Sequence, residues 1–224
     1  MPKNRATLKE LSSILGFSIS TISKALNGSN EISMITKKRI KEIAKKYNYR
    51  PNKIALGLKS GKTYTIAIII PSVQNSFFAR VLYGIESVIS STKYSSIICL
   101  TGESHEKEVS NFDVLSNGVV DGFIVAVSLE TQTLGDFNHF SNVLNEGKSL
   151  VMFDCVIDEI PCTKVKTNDY AAILKATKNL ISSGRKKILF LSAIYNSNVG
   201  KQRSEGYKKS MIDSDLEPFI LESN

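Results

Sequence analysis

Donors gather on one side of the stretch Ser18-Ile19-Ser20-Thr21-Ile22-Ser23-Lys24-Ala25-Leu26-Asn27-Gly28. At roughly 100° per residue, Ser20, Lys24 and Asn27 fall on one helix face, and Ile22, Ala25 and Leu26 fall on the opposite one. The first face offers hydroxyl, ammonium and amide groups and no acid. Such a surface suits an anion; taken without its neighbours, it also suits an ordinary solvated helix. Catalytic patterns are missing: there is no G-x-G-x-x-G, no P-loop and no G-x-S-x-G. His105 and His139 stand alone, and Cys99, Cys155 and Cys162 are an odd number without C-x-x-C spacing. No catalytic residue, metal or cofactor is therefore expected. The cysteines read as small buried hydrophobes in a reducing cytoplasm.

The elements around that stretch favour the anion. Ser18 is a good N-cap and Asn27-Gly28 a good stop. Upstream, Thr7-Leu8-Lys9-Glu10 fits a capping box and opens a helix with the apolar stripe Leu8, Leu11, Ile14 and Leu15. Gly16 permits a tight turn and Phe17 can pack inward. Helix, glycine turn and helix make a helix-turn-helix. A third helix follows Ser33, with Ile40, Ile43, Ala44 and Tyr47 inward and Lys37, Lys38, Arg39, Lys41, Lys45 and Lys46 outward. Charge follows the same division. Residues 1–62 carry 14 Lys/Arg against Glu10, Glu31 and Glu42, a balance of +11; the rest carry 15 against 18, a balance of −3. A basic module on a slightly acidic body suggests a polyanion partner. The N-terminus lacks the apolar run of a signal peptide, and no stretch approaches the roughly 20 apolar residues of a membrane span. The expected location is the cytoplasm, with no membrane partner.

The run T-L-K-E-L-S-S-I-L-G-F-S-I-S-T-I-S-K-A-L-N-G, followed by Y-N-Y-R-P-N, resembles the DNA-binding headpiece of the lactose-repressor (LacI/GalR) family of bacterial transcription regulators. The resemblance implies that Ile19, Ser20 and Lys24 read bases in the major groove, with Lys24 standing where the family usually has Arg. Lys can donate to guanine but lacks the planar fork of Arg. Thr7, Ser18, Thr21, Ser23 and Asn27 are candidate phosphate contacts, since short polar side chains near helix N-termini suit that role; Thr21 could equally be a packing residue. The stretch 53–62 is too short for a stable helix alone, and Gly57 weakens it further. By the resemblance it folds when two copies meet on a pseudo-palindromic operator. Leu58 is then a minor-groove wedge, and Asn52, Ala55 and Lys59 line the same contact. A homodimer on double-stranded DNA is implied.

After residue 62 the period changes. Thr65-Ile66-Ala67-Ile68-Ile69-Ile70-Pro71 reads as a strand buried on both faces, and strands then alternate with helices: helix 78–89, strand 96–100, helix 106–115, strand 120–127, a helix within 136–145 and strand 149–153. The expected fold is an all-α headpiece (1–52), a hinge and linker (53–62), and an α/β doubly wound parallel-sheet domain of periplasmic-binding-protein type. That domain divides into a first subdomain (63–162) and a partial second one (163–224). Ligands of such sheets sit at the strands' carboxyl ends. By the resemblance, Asn75, Phe77, Phe78, Asp154, Asn168 and Arg203 hold a small-molecule effector, a sugar or sugar derivative. Phe77 and Phe78 could instead be core, and Arg203 a surface ion pair. Family members continue beyond the position of Asn224, so the resemblance implies truncation. The implied function is a DNA-binding repressor under effector control; the alternative is a shortened form that keeps DNA binding but not ligand response. An enzyme or a solute-binding protein on the same sheet are the other classes considered.

Overall fold

The computed structural model describes residues 6–49 and 61–222, and its units divide between Ser60 and Gly61. In the first unit the caps act where the sequence places them. Helix α1 (Leu8–Leu15) opens at Thr7, whose hydroxyl accepts the Glu10 N–H at 3.2 Å while the Glu10 carboxylate accepts the Thr7 N–H at 2.6 Å. Gly16, at φ 70°, closes it. Helix α2 (Ile19–Leu26) starts from Ser18, which accepts the Thr21 N–H, and α3 (Met34–Lys46) starts from Ser33, which accepts the Thr36 N–H. Leu11, Leu15, Ile22, Ala25, Ile40 and Ala44 close one small core.

Two expected core residues are not in it. Ile14 is 45% exposed and Tyr47 is 42% exposed. The cause at Tyr47 is the helix ending. Asn48 takes a left-handed conformation (φ 52°), its N–H bonds to the Lys45 carbonyl at 3.1 Å, and the Tyr49 N–H reaches back to the Ala44 carbonyl at 2.8 Å. This reversal satisfies the last carbonyls of the helix. It turns Tyr47 outward and packs Tyr49 against the core instead. Close by, the Ala6 N–H donates to the Tyr47 carbonyl at 3.4 Å.

The second unit is a doubly wound α/β fold. Strands β1 (Thr65–Ile70), β2 (Ser95–Leu100), β3 (Gly122–Val125), β4 (Ser149–Phe153) and β5 (Thr163–Val165) form a parallel sheet in the order β2-β1-β3-β4-β5. Alternate residues of β1 feed different cores, as strand geometry requires. Ala67 and Ile69 join Phe112, Val125, Phe140 and Met152; Ile68 and Ile70 join Phe78, Ile89, Ala126 and Phe153. Helices α4 (Ser76–Ile89), α5 (His105–Ser116) and α7 (Asn138–Asn145) supply Phe78, Ile89, Phe112 and Phe140, and a short α6 (Leu129–Leu134) precedes α7. Neither α6 nor β5 was expected from the sequence. Val88 of α4 is exposed. A second parallel pair, β6 (Leu189–Ser192) and β7 (Phe219–Glu222), packs with α8 (Asp169–Ser182) and α9 (Asn198–Ile212). Gly206 lets α8 and α9 approach: a Cβ there would lie 2.3 Å from the Tyr170 carbonyl oxygen. No helix among the described residues is long and apolar enough to cross a membrane.

Asp121 ties the start of β1 to β3. Its carboxylate accepts the Thr63 N–H (2.6 Å), the Thr63 hydroxyl (2.9 Å) and the Tyr64 N–H (2.9 Å). Burial pushes this carboxyl up, but these bonds and the Lys62 charge outweigh it and leave it below its ordinary value of 3.8. A lowered carboxyl contributes stability that is present above its unfolded-state pKa and lost as pH falls through the folded one. Asp121→Asn is therefore expected to melt below the parent at neutral pH. The gap should begin to shrink near pH 3.8 and close only as the pH falls through the lower folded-state value, as thermal melts across that range will show.

Candidate nucleic-acid interface and ligand cleft

The outer face of α2 is built around Ser18. Its hydroxyl lies 2.8 Å from both the Ser20 and the Thr21 hydroxyls. Ile19, Ser20, Lys24 and Asn27 are exposed, while Thr21 and Ser23 are half-buried. Thr7 is exposed, but its hydroxyl is engaged with Glu10 at 3.1 Å. The face is not free of acid, as α2 alone suggested. Gly28 (φ 78°) turns the chain back, the Ser29 N–H bonds to the Lys24 carbonyl, and Glu31 arrives beside Lys24 with Oε2 at 2.5 Å from Nζ. Both side chains remain solvated, so this pair is weak and exchangeable. Around it, α3 presents Lys38, Arg39, Lys41, Lys45 and Lys46 outward, with Lys37 half-buried. The candidate hinge residues Asn52, Ala55, Leu58 and Lys59 lie outside the described residues.

In the second unit a cavity of about 260 Å³ opens where β1, β2 and β4 end, bounded on its other side by α9. Asn75, Phe77, Phe78, Asp154 and Arg203 line it, together with Glu103. Asn75 caps α4 by accepting the Phe77 N–H at 2.9 Å. Phe78 is buried and packs edge-on against Phe153, whereas Phe77 is 38% exposed. Of the two rings, Phe77 thus has a face to offer. Arg203 is both a lining residue and an ion-pair partner: its Nε donates to Asp169 Oδ1 at 2.7 Å. Asn168 is placed differently from the sequence expectation. It does not line the cavity but caps α8, accepting the Ala171 N–H at 3.0 Å.

Glu103 escaped the sequence reading, because no local pattern marks a lone acid after a strand. It sits at φ 66° and Asp154 at φ 58°. A left-handed conformation costs a residue with a side chain about 1 kcal/mol or more, and such strain concentrates at functional sites. Glu103 Oε2 accepts the Leu129 N–H at 2.7 Å, which holds the start of α6. The Cys155 thiol donates to Asp154 Oδ2 at 3.7 Å, and the nearby Arg203 charge also favours the ionised carboxyl. Burial pushes both carboxyls above their ordinary values, and it pushes the Cys155 thiol up to about 12. Gln132 closes one wall: it accepts the Asn198 N–H at 3.0 Å and donates to the Val127 carbonyl at 3.0 Å. Among the described residues no group of three His, Cys, Asp or Glu side chains could hold a metal.

Beneath the cleft, the two histidines do not stand alone in space. Glu108 is fully buried and accepts the Ser128 N–H (2.7 Å) and the Thr131 hydroxyl (2.8 Å), with His139 Nε2 at 3.0 Å. His105 packs edge-on to His139 and meets the Thr131 hydroxyl. This network joins α5, α6 and α7 and fixes the floor on which Leu129 and Gln132 stand.

A helix-turn-helix unit and a doubly wound sheet with a cleft at its strand ends follow one another on this chain. Residues 7–52 match the family described as bacterial regulatory proteins, lacI family; residues 63–220 match that described as periplasmic binding proteins and sugar binding domain of LacI family. The chain belongs to the LacI family. Relatives include the HTH-type transcriptional repressor PurR of Vibrio cholerae serotype O1 (strain M66-2), 30% identical over 98% of this chain and 65% of the relative. The ribose operon repressor of Haemophilus influenzae is 29% identical with the same coverage. The chain thus spans 65% of the length of these curated relatives. Among solved structures, the lac repressor dimer bound to operator and the anti-inducer ONPF superposes with a TM-score of 0.81 at 19% identity, over 98% of this chain and 65% of that one. A LacI-family regulator from Silicibacter pomeroyi gives 0.75 at 24% identity, over 97% and 64%. At these identities the likeness is one of fold.

The raised Glu103 carboxyl makes a prediction. Because its folded-state pKa lies above the unfolded one, its contribution to stability is greatest below the unfolded value of 4.5 and is lost as pH rises through the folded value. Glu103→Gln keeps an acceptor for Leu129 and removes the charge. It is expected to raise the melting temperature by about 2 °C at pH 8, with the gain vanishing by pH 4.

Proposed function

We propose that this protein is a sequence-specific DNA-binding transcription regulator, acting as a repressor, whose operator affinity is set by a small carbohydrate in the cleft. The carrying observation is a closed three-helix headpiece that presents a donor-rich face of α2, on the same chain as a ligand-sized cleft. Family membership supports it, as do the relatives named above, which are repressors. In this reading Ile19, Ser20 and Lys24 read bases, and Thr7, Ser18, Thr21, Ser23 and Asn27 hold phosphates. Asn52, Ala55, Leu58 and Lys59 form the minor-groove contact of a homodimer on a pseudo-palindromic site. Asn75, Phe77, Phe78, Asp154 and Arg203 hold the effector, and Asn168 supports it by capping α8. The protein works in the bacterial cytoplasm without a cofactor, metal or catalytic step.

Selection of binding sites from random DNA tests this directly. The expected product is a palindromic site, since protein symmetry is mirrored in the half-sites. Binding indifferent to sequence, or none, would sink the proposal. Lys24→Ala should weaken binding to the selected site by about tenfold, the low end for a single base contact, and weaken random DNA less at the same salt. Glu31→Gln should do the opposite: by freeing Lys24 for phosphates, it should strengthen random-DNA binding severalfold and narrow the preference for the selected site.

A further inference from the structure

We infer that Asp121 is a positioning residue for DNA-site selection: it pins Thr63 and Tyr64 to the sheet, so that the tether to the headpiece starts at a fixed point and sets which half-site spacing the protein accepts. This rests on the proposed reading of two copies on a pseudo-palindromic site. The bonds that meet where the chain enters the second unit carry it. One oxygen of the Asp121 carboxylate accepts both the N–H and the hydroxyl of Thr63, and the other accepts the Tyr64 N–H. From there the bonds run to neighbouring strands. The Ser95 N–H, at the start of β2, donates to the Tyr64 carbonyl at 2.9 Å, and the Asp121 N–H donates to the Thr65 carbonyl at 2.8 Å. The Thr63 hydroxyl also accepts the Thr65 N–H at 3.2 Å. The Tyr64 ring packs edge-on to Tyr94, with the Lys93 ammonium 4.2 Å from its centroid.

Tyr64 sits at φ 53°. A bulky residue keeps that conformation only where its surroundings over-determine it, so contacts and not backbone preference hold the entry to β1. Asp121 is the group that bonds both Thr63 and Tyr64, and without it these two residues are the first to peel away. Burial raises its carboxyl, but the bonds from Thr63 and Tyr64 and the Lys62 charge lower it further, so it stands ionised as an acceptor at neutral pH. Strands β1, β2 and β3 are parallel, so the clamp gathers their starts at the edge opposite the cleft. What depends on it is the tether. The headpiece and the second unit are joined through residues 50–60, which lie outside the described residues. Freeing Thr63 and Tyr64 adds at most about 7 Å of reach per copy. One base pair adds about 3.4 Å and turns a half-site by about 34°. The two clamped residues are therefore worth a shift of one or two base pairs, and a tether that cannot span its sites forfeits the gain from binding both.

Gel-shift titration of the full chain at one salt concentration tests this, on the palindromic site selected from random DNA and on versions with one or two base pairs added or removed at its centre. The parent is expected to lose about tenfold or more on the altered spacings. Asp121→Ala should flatten that penalty to about threefold while random-DNA affinity stays within about twofold, because the headpiece is untouched. Asp121→Asn should fall between, since its amide can still accept from Thr63 but sets a donor against the Tyr64 N–H. Inserting Gly-Ser between Lys62 and Thr63 lengthens the tether with the clamp intact; it should broaden the spacing tolerance as Asp121→Ala does, at the parent's melting temperature. An unchanged spacing profile in both Asp121 variants overturns the inference. So does an equal loss on every spacing and on random DNA, which would mark a structural role alone, and so does an insertion that broadens nothing. A parent without any spacing preference overturns the two-copy reading, and the inference with it.

Discussion

Burial of β1 on both faces is the constraint from which the second unit is laid out. Its residues Ala67, Ile68, Ile69 and Ile70 point alternately into two separate cores, so neither side of the sheet can be left to water. Covering both sides requires a helix after nearly every strand, and each helix must carry the chain back before the next parallel strand can start. All strands then end at the same edge. Asn75, Glu103 and Asp154 reach one cavity from three different loops for that reason, although 79 residues of sequence separate the first from the last. The loops at that edge are free to hold acids and strained backbone because the cores are closed elsewhere.

Signals that act over three or four residues were legible in the sequence. The Thr7–Glu10 box, the Ser18 and Ser33 caps, the start of β1 and the limits of β4 stand where local chemistry places them. What failed depended on a conformation or on distance. The inward stripe of α3 extends on paper to Tyr47, but one left-handed residue, Asn48, resets the phase and gives the place to Tyr49. Glu31 is seven residues from Lys24 and meets it only because Gly28 reverses the chain. His105, Glu108, Thr131 and His139 come from three helices, and no spacing along the chain announces them. The position expected to supply a ligand contact at Asn168 supplies a helix cap, while its neighbour Asp169 holds Arg203.

The two candidate surfaces handle charge in opposite ways. On α2, Lys24 and Glu31 meet in water, where an ion pair is worth little and can be traded for a base or a phosphate at small cost. In the cleft, charge is partly removed from water and the same exchange is expensive, so occupancy there has leverage on the fold around it. The buried Glu108 network gives that leverage a rigid base. Every oxygen of its carboxylate has a partner, and α5, α6 and α7 are joined through it.

The contact between Ala6 and Tyr47 has a consequence for anyone who rebuilds the headpiece. Because the Ala6 N–H reaches the Tyr47 carbonyl, the two ends of the described three-helix segment meet, and its path is nearly a closed ring. A ring can be opened elsewhere. A short bridge across that spot, with new ends cut in the exposed turn near Asn30, would yield a permuted headpiece with the same three helices and the same core.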